Sequence, residues 1–296
     1  MSEIFDFLKK TEAERRKSPV FAPPMNLPAV MPEDPSPEPE YIEEVQPTLP
    51  VESPIAAAGA AIFDMTHSSY QMQNVLDPLT VIGEQFRVLR TQLHLMQKQK
   101  GIKTILVTST VPQEGKSFTS SGLAGVMAQE TGKRVLLIDA DMRKPGSGRD
   151  IGLNGNSSAV GTAQVLEGTN EFRSALLTGT NPEFWFLPSG ALPPNPSELL
   201  GSPNLERVLK SAAEIFDWII VDSPPILALS DASLIAPLCD TVLLVVRVNF
   251  TPTKLVSETI SRIGRDRICG IVLNRQKEFH SSRYYYHYYY RGAKRK

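Results

Sequence analysis

Downstream of Gly101 the chain alternates short, almost wholly apolar, β-branched runs with stretches of helical period. The runs are Thr104–Val107, Val135–Ile138, Phe184–Leu187, Trp218–Val221, Val242–Val246 and Ile268–Leu273. A strand with one face in water alternates apolar and polar residues; a run that stays apolar belongs to a strand covered on both faces. With helices between them, these runs predict an α/β fold built on a doubly wound, mostly parallel sheet. Ligands of such sheets bind beyond the carboxyl ends of the strands, so the residues that close each run are the first place to look for chemistry.

The first run leads directly into Thr110-Val-Pro-Gln-Glu-Gly-Lys-Ser117, and a helix is predicted from Phe118 to Glu130. A strand, a glycine-containing loop with Gly-Lys-Ser and a helix start together make a phosphate loop, because backbone N–H groups and the helix dipole converge there on negative charge. The candidate nucleotide contacts are Thr110, Gln113, Glu114, Gly115, Lys116, Ser117 and Phe118, with Lys116 reaching the outer phosphates of ATP and Ser117 a ligand of Mg²⁺. Thr110 stands where the pattern usually has its first glycine, and Gly-Lys-Ser at a helix start also arises by chance. Two further segments narrow the reading. Val135-Leu-Leu-Ile-Asp139-Ala-Asp141 and Trp218-Ile-Ile-Val-Asp222 each end an apolar run in a carboxylate, where a magnesium triphosphate needs one. Either aspartate alone could equally be a helix cap. The three segments in this order point to a nucleotide site.

The remainder of the 296 residues sets the frame. A hydrophobic content of 41% suits one sizeable domain with extensions, and a formal net charge of −1 gives no reason to expect a nucleic-acid partner. Cys239 and Cys269 form neither a disulfide framework nor a metal cluster pattern, which fits a reducing cytosol. Met1–Lys10 has no signal-peptide pattern, and the longest apolar run, Ile55–Phe63, is too short to span a bilayer. Residues 1–17 are compatible with a short amphipathic helix or a frayed terminus. Eleven prolines between Pro19 and Pro54, interspersed with Glu33, Asp34, Glu38, Glu40, Glu43 and Glu44, describe a semi-extended linker. Helical spacing returns near Pro78, with Ile82, Phe86, Leu89, Leu93 and Met96 on one face and Glu84, Arg87 and Arg90 on the other. The expected division is an extension over 1–77, an ATP-binding domain over 78–279 and a tail over 280–296. Six of the eight tyrosines, Tyr284, Tyr285, Tyr286, Tyr288, Tyr289 and Tyr290, lie in that tail between Arg283 and Arg291.

From about Glu84 onward the motifs resemble the bacterial tyrosine kinase (BY-kinase) family, in its cytosolic, CpsD/CapB-like branch that regulates capsule and exopolysaccharide synthesis. Thr108–Ser117 resembles its Walker A motif, Leu137-Ile-Asp-Ala-Asp-Met-Arg-Lys-Pro145 its Walker A′, and Ile219-Ile-Val-Asp-Ser-Pro-Pro225 its Walker B. Glu84-Gln-Phe-Arg87-Val-Leu-Arg90 is similar to the family's ExxRxxR ring-packing motif, and the tyrosine cluster completes the set. The resemblance implies a deviant P-loop fold shared with Min- and Par-type ATPases, Mg-ATP as donor, and autophosphorylation of the tyrosine cluster in trans. It implies that Asp139 and Asp222 organise Mg²⁺, that Asp141 lies nearest the incoming phenol, and that Asn274 touches the adenine. It also implies a homo-oligomeric ring through Glu84, Arg87 and Arg90, a cognate tyrosine phosphatase, and a cytoplasmic placement at the inner membrane face. Where relatives fuse a transmembrane co-polymerase domain, this chain has its proline-rich extension, so a separate membrane-embedded polysaccharide co-polymerase or activator is the implied partner.

Three other functions share some of these features. A Min/Par-like ATPase switch uses the same fold without kinase activity, but usually carries a lysine just after the first loop position, where this chain has Val111. Arginine and lysine around stacked aromatics would suit single-stranded nucleic acid, which explains the tail and none of the three motifs. An iron–sulfur reductase needs a cysteine cluster that Cys239 and Cys269 do not supply. The tyrosines could also pack as an aromatic ladder; flanking basic residues favour exposure, and an exposed phenol with a pKa near 10 needs a carboxylate such as Asp141 as its base.

Overall fold

The computed structural model describes residues 62–153 and 160–276. Its eight strands are β1 (Ile62–Asp64), β2 (Thr104–Ser109), β3 (Val135–Asp139), β4 (Leu177–Thr180), β5 (Phe184–Leu187), β6 (Trp218–Asp222), β7 (Thr241–Arg247) and β8 (Ile268–Asn274). They form one sheet in the order β1-β4-β5-β3-β6-β2-β7-β8, parallel throughout except between β4 and β5. The helices are α1 (Tyr70–Leu76), α2 (Val81–Lys100), α3 (Lys116–Ala128), α4 (Ser147–Asp150), α5 (Thr162–Glu167), α6 (Pro196–Leu200), α7 (Pro203–Ile215), α8 (Asp231–Ile235) and α9 (Thr253–Ile263). The doubly wound, mostly parallel α/β architecture expected from the apolar runs is the one observed.

The central strands are apolar at nearly every position because each face of the sheet has its own core. Side chains alternate between faces along a strand. Ile105, Val107, Leu137, Ile220, Leu243 and Val245 enter the core closed by Met72, Val75, Phe86, Leu93, Leu123 and Met127 of α1, α2 and α3. Leu106, Leu136, Ile138, Val221 and Leu244 enter the other, closed by Leu166, Leu205, Leu209, Ile235 and Val256 from α5 and from α7, α8 and α9. The expected apolar face of α2 is seated as predicted: Phe86 and Leu93 are buried, while Ile82, Leu89 and Met96 pack partly buried on the same core. The Thr80 hydroxyl caps α2 by accepting from the Gly83 amide at 3.0 Å. On α3, a Cβ at Gly122 would lie 2.8 Å from the Phe86 ring, so the bare backbone there lets the two helices close on each other.

The folded body starts earlier than the expected boundary at Pro78. Phe63, Met65, Met72 and Val75 are buried, and the Phe63 ring meets Phe184 edge-on at 5.3 Å. β1 is three residues long and gains its place only by pairing with β4, a partner more than a hundred residues away. β4 itself, Leu-Thr-Gly-Thr, is short and half polar because it lies near the sheet edge, and no apolar run announces it. Among the described residues no helix is long and apolar enough to cross a membrane.

Candidate nucleotide and phosphoryl-transfer site

β2 delivers the chain into the loop Thr110–Gly115, and α3 begins at Lys116. Gly115 has φ +94°, a left-handed conformation, and a Cβ on it would lie 2.0 Å from Asn274 Nδ2. Glycine is therefore required twice over, by the turn and by the close approach of the last strand. Gly115 also supplies no side-chain cap to α3, which leaves first-turn amides available to a ligand.

Adjacent strands bring the carboxylates together. Asp139 and Asp222 are register partners across β3 and β6, and Asp222 is paired with Val107 of β2 on its other side. Lys116 Nζ lies 2.8 Å from Asp141 Oδ2 and 3.6 Å from Asp222 Oδ1, and donates to Ser117 Oγ at 3.1 Å. Asp139 is fixed by backbone: Oδ1 accepts from Asp141 N at 3.1 Å, and Oδ2 from Gly146 N and Ser147 N at 3.3 Å each. Asp222 Oδ2 accepts from Ser147 Oγ at 2.9 Å and Oδ1 from Ser120 Oγ at 3.4 Å. Asp141 Oδ1 accepts from Lys144 N at 3.0 Å.

The electrostatics follow from burial. Loss of water, together with the charge of Asp222, pushes the Asp139 carboxyl far above the usual carboxylate range, and burial raises Asp222 against the pull of Lys116. Burial also works against the Lys116 ammonium, but Asp222 and Asp141 outweigh it and hold the lysine above its usual value. One lysine thus faces three aspartates, and the site is set to attract a further cation. Among the described residues no group of three or more His, Cys, Asp or Glu forms an all-protein metal cage. Mg²⁺ does not need one, since it binds through one or two carboxylates and completes its shell with water and phosphate oxygens. The hydroxyl of Ser117, the carboxylates of Asp139 and Asp222, and the glycine-lined helix start fit a magnesium nucleotide by the chemistry of their donors.

Lys116, Ser117, Asp139, Asp141 and Asp222 form one cluster, and Asn274 joins the loop by donating from Nδ2 to Glu114 O at 2.7 Å. The other candidates are placed differently. Glu114 is buried, with its carboxylate accepting from Val111 N at 2.7 Å, Arg247 N at 3.1 Å and the Thr251 hydroxyl. The Phe118 ring packs edge-on to Phe86 in the α2–α3 contact, 6.3 Å between centroids. Thr110 is buried, and Gln113 is exposed at φ +67°. Ser120 and Ser147, which hold Asp222, were not predicted; serine early in a helix carries no signal of its own. Nor was the cluster in which Asp231, also buried, accepts from Arg143 Nε at 3.1 Å. The tyrosine cluster lies outside the described residues.

The arginines of the proposed ring motif are engaged within the chain. Arg90 Nη1 donates to Val126 O at 2.8 Å and its Nε lies 3.8 Å from Glu130, tying α2 to the end of α3. Arg87 Nη2 donates to Leu76 O at 3.5 Å and pairs with Glu84 at 3.8 Å. Of the three, Glu84 has the most exposed side chain, 48% against 17% for Arg87 and 20% for Arg90. Substituting both arginines by alanine is therefore expected to cost about 1–3 kcal/mol, mainly through Arg90, and to lower the thermal midpoint by several degrees. Circular dichroism melting checks this; an unchanged midpoint with a smaller light-scattering mass in Mg-ATP would place both arginines on an assembly surface instead.

Residues 102–266 match the family described as AAA domain. The tyrosine-protein kinase Wzc of Salmonella typhimurium is 35% identical over 206 residues, which cover 69% of this chain and 28% of Wzc. The tyrosine-protein kinase YwqD of Bacillus subtilis is 33% identical over 221 residues, covering 73% of this chain and 92% of YwqD. The kinase domain of the Escherichia coli tyrosine kinase ETK superposes with a TM-score of 0.64 at 31% identity, covering 74% of this chain and 92% of that domain. The fold and the lysine–aspartate cluster define a P-loop nucleotide-binding protein. The chain belongs to the tyrosine-protein kinase family, transferases of which Wzc is the longer kind and YwqD the shorter.

Proposed function

We propose that this chain transfers the γ-phosphoryl group of ATP to tyrosines 284–286 and 288–290 of a second copy of itself. The observation that carries this reading is Lys116 held between Asp141 and Asp222, at the point where the phosphate loop meets the carboxyl ends of β3 and β6. Mg-ATP, when bound, supplies the phosphoryl group and a metal that neutralises its charge. Lys116 would supply positive charge to the phosphate oxygens, Ser117, Asp139 and Asp222 would hold the metal, and Asn274 would hold the base. Asp141 receives the phenol proton, a task that a tyrosine with an ordinary pKa near 10 requires of a neighbouring base.

By resemblance to the capsule and exopolysaccharide branch, the kinase acts on polysaccharide polymerisation and export. It would sit at the inner membrane face through a membrane-embedded activator, be reset by a phosphatase and assemble as a ring, with Glu84 the most exposed member of its α2 motif. The test is to incubate the purified protein with labelled ATP and Mg²⁺ and to map the modified residues. Phosphotyrosine confined to the cluster supports the proposal. Release of inorganic phosphate with no phosphotyrosine would replace it with an ATPase switch of the Min/Par kind. Asp141→Asn is expected to slow transfer by about 10²–10⁴ while the ATP dissociation constant moves only a few-fold. Single-turnover kinetics separate the two; a pure loss of affinity would make Asp141 a binding residue.

A further inference from the structure

Glu114 is the one acidic residue of the phosphate loop, and facing the ligand it would repel the phosphates the loop exists to hold. It is instead fully buried, and three donors converge on its carboxylate. Oε2 accepts from Val111 N within the loop at 2.7 Å; Oε1 accepts from Arg247 N at 3.1 Å, where β7 ends, and from the Thr251 hydroxyl beyond it. Three donors and no acceptor are what an acceptor-only carboxylate satisfies and a carboxamide does not, because the amide NH₂ would face a donor. Aspartate is one methylene too short for the same reach. The Glu114 carbonyl completes the link by accepting from Asn274 Nδ2 at 2.7 Å, and Asn274 O accepts from Val248 N at 3.0 Å. Phosphate loop, end of β7 and end of β8 therefore close into one hydrogen-bonded circuit.

The backbone on either side shows why such a circuit is needed. Gln113 and Gly115, the neighbours of Glu114, both have positive φ, +67° and +94°. A non-glycine residue in that region persists when its surroundings over-determine it. Here the surroundings are the bonds made by Glu114.

We infer that Glu114 is a positioning residue whose buried carboxylate locks the phosphate loop to the ends of β7 and β8, so that the phosphate and base ends of the nucleotide site form one preorganised unit. This rests on the nucleotide reading of the site and is independent of whether tyrosine is the acceptor. Without the lock, the loop must be ordered by the ligand at each binding event, and affinity is lost while the chemistry of bound ATP is kept.

The test uses the full-length protein with Glu114→Gln, Thr251→Val and Thr251→Ser. Thr251→Val removes one donor at constant shape and guards against a Glu114 variant that fails to fold. Hydrogen exchange of the Val111 and Arg247 amides is measured without nucleotide, and the dissociation constant of Mg-ATP by calorimetry. Glu114→Gln is expected to expose both amides to exchange and to weaken Mg-ATP by about tenfold or more, Thr251→Val to weaken it a few-fold, and Thr251→Ser to bind as the parent does. The kcat at saturating ATP should change less than about threefold while KM rises. Lower melting temperatures with unchanged amide exchange and unchanged affinity of the folded protein would overturn the inference and leave Glu114 a stability residue. A parent that fails to bind Mg-ATP overturns the nucleotide reading and this inference with it. A parent that binds, variants that lose affinity and an absence of phosphotyrosine would sustain the inference and remove only the tyrosine acceptor.

Discussion

A Lys116→Met chain is expected to transfer less than about a hundredth of the phosphate that the parent transfers, while remaining folded. Methionine keeps the length and apolar stem of lysine and deletes the charge. The side chain lies at the mouth of a loop and not in either core, so loss of transfer with retained fold separates a ligand role from a packing role. Stability should move as well, in a direction that the carboxylates determine. With Lys116 present, burial and the neighbouring Asp222 already place the Asp139 carboxyl at about 8, against an ordinary value of 3.8. A raised carboxyl binds its proton more tightly folded than unfolded, so between about pH 4 and pH 8 its contribution to stability falls as the pH rises. Removing the lysine takes away the charge that pulls Asp222 down against its burial, so Asp222 is left protonated or as an unpaired buried charge, and the loss deepens as the pH rises. The variant should therefore be weaker than the parent by about 3 kcal/mol near pH 8 in chelator, and the gap should narrow on acidification, because protonation of the buried Asp222 removes the need for a counter-charge. Urea unfolding at several pH values measures this. Parental transfer by the variant would overturn the phosphate-loop assignment, and a gap independent of pH would show that Lys116 is not the counter-charge of the buried aspartates.

The central sheet was legible because its strands face two cores. β2, β3, β6 and β7 carry apolar residues on both faces, and that pattern depends on local sequence alone. The cluster was legible for a related reason: loop, Asp139 and Asp222 sit at strand ends, which parallel topology brings to one edge. What escaped depends on contacts distant in sequence. β1 is held by register with β4, where a Cβ on Gly179 would meet the Phe63 ring at 2.6 Å, and no local pattern in either segment encodes that fit. Glu114 reads as a phosphate contact from its motif, yet two of its three donors come from Arg247 and Thr251, far along the chain. Arg90 shows the same limit. On a helical wheel it belongs to the charged face, while its guanidinium reaches across to the Val126 carbonyl of the next helix.

Whether the tyrosine cluster is modified within a chain or between chains is the question with an all-or-none answer. β8 ends at Asn274, bonded to the phosphate loop, and Tyr284 follows ten residues later. At about 3.3 Å per extended residue the first tyrosine reaches roughly 33 Å, so chain length permits both a chain's own site and a neighbour's. Transfer between chains rests on the family resemblance and on the ring it implies. Each phosphate adds about −1.5 to −2 charge, so six phosphotyrosines add on the order of −10, and tails gathered around a ring would then repel one another. The unmodified chain is expected to assemble and the modified chain to disperse, with ATP hydrolysis continuing in both. The decisive mixture contains a Lys116→Met chain with its tail intact and an active chain ended after Phe279. Phosphate should appear on the tyrosines of the inactive partner, and light scattering should show its assemblies shrinking as it does. If label appears only where Lys116 and the tail share one chain, transfer is internal, and the charge-driven dispersal of a ring loses its premise.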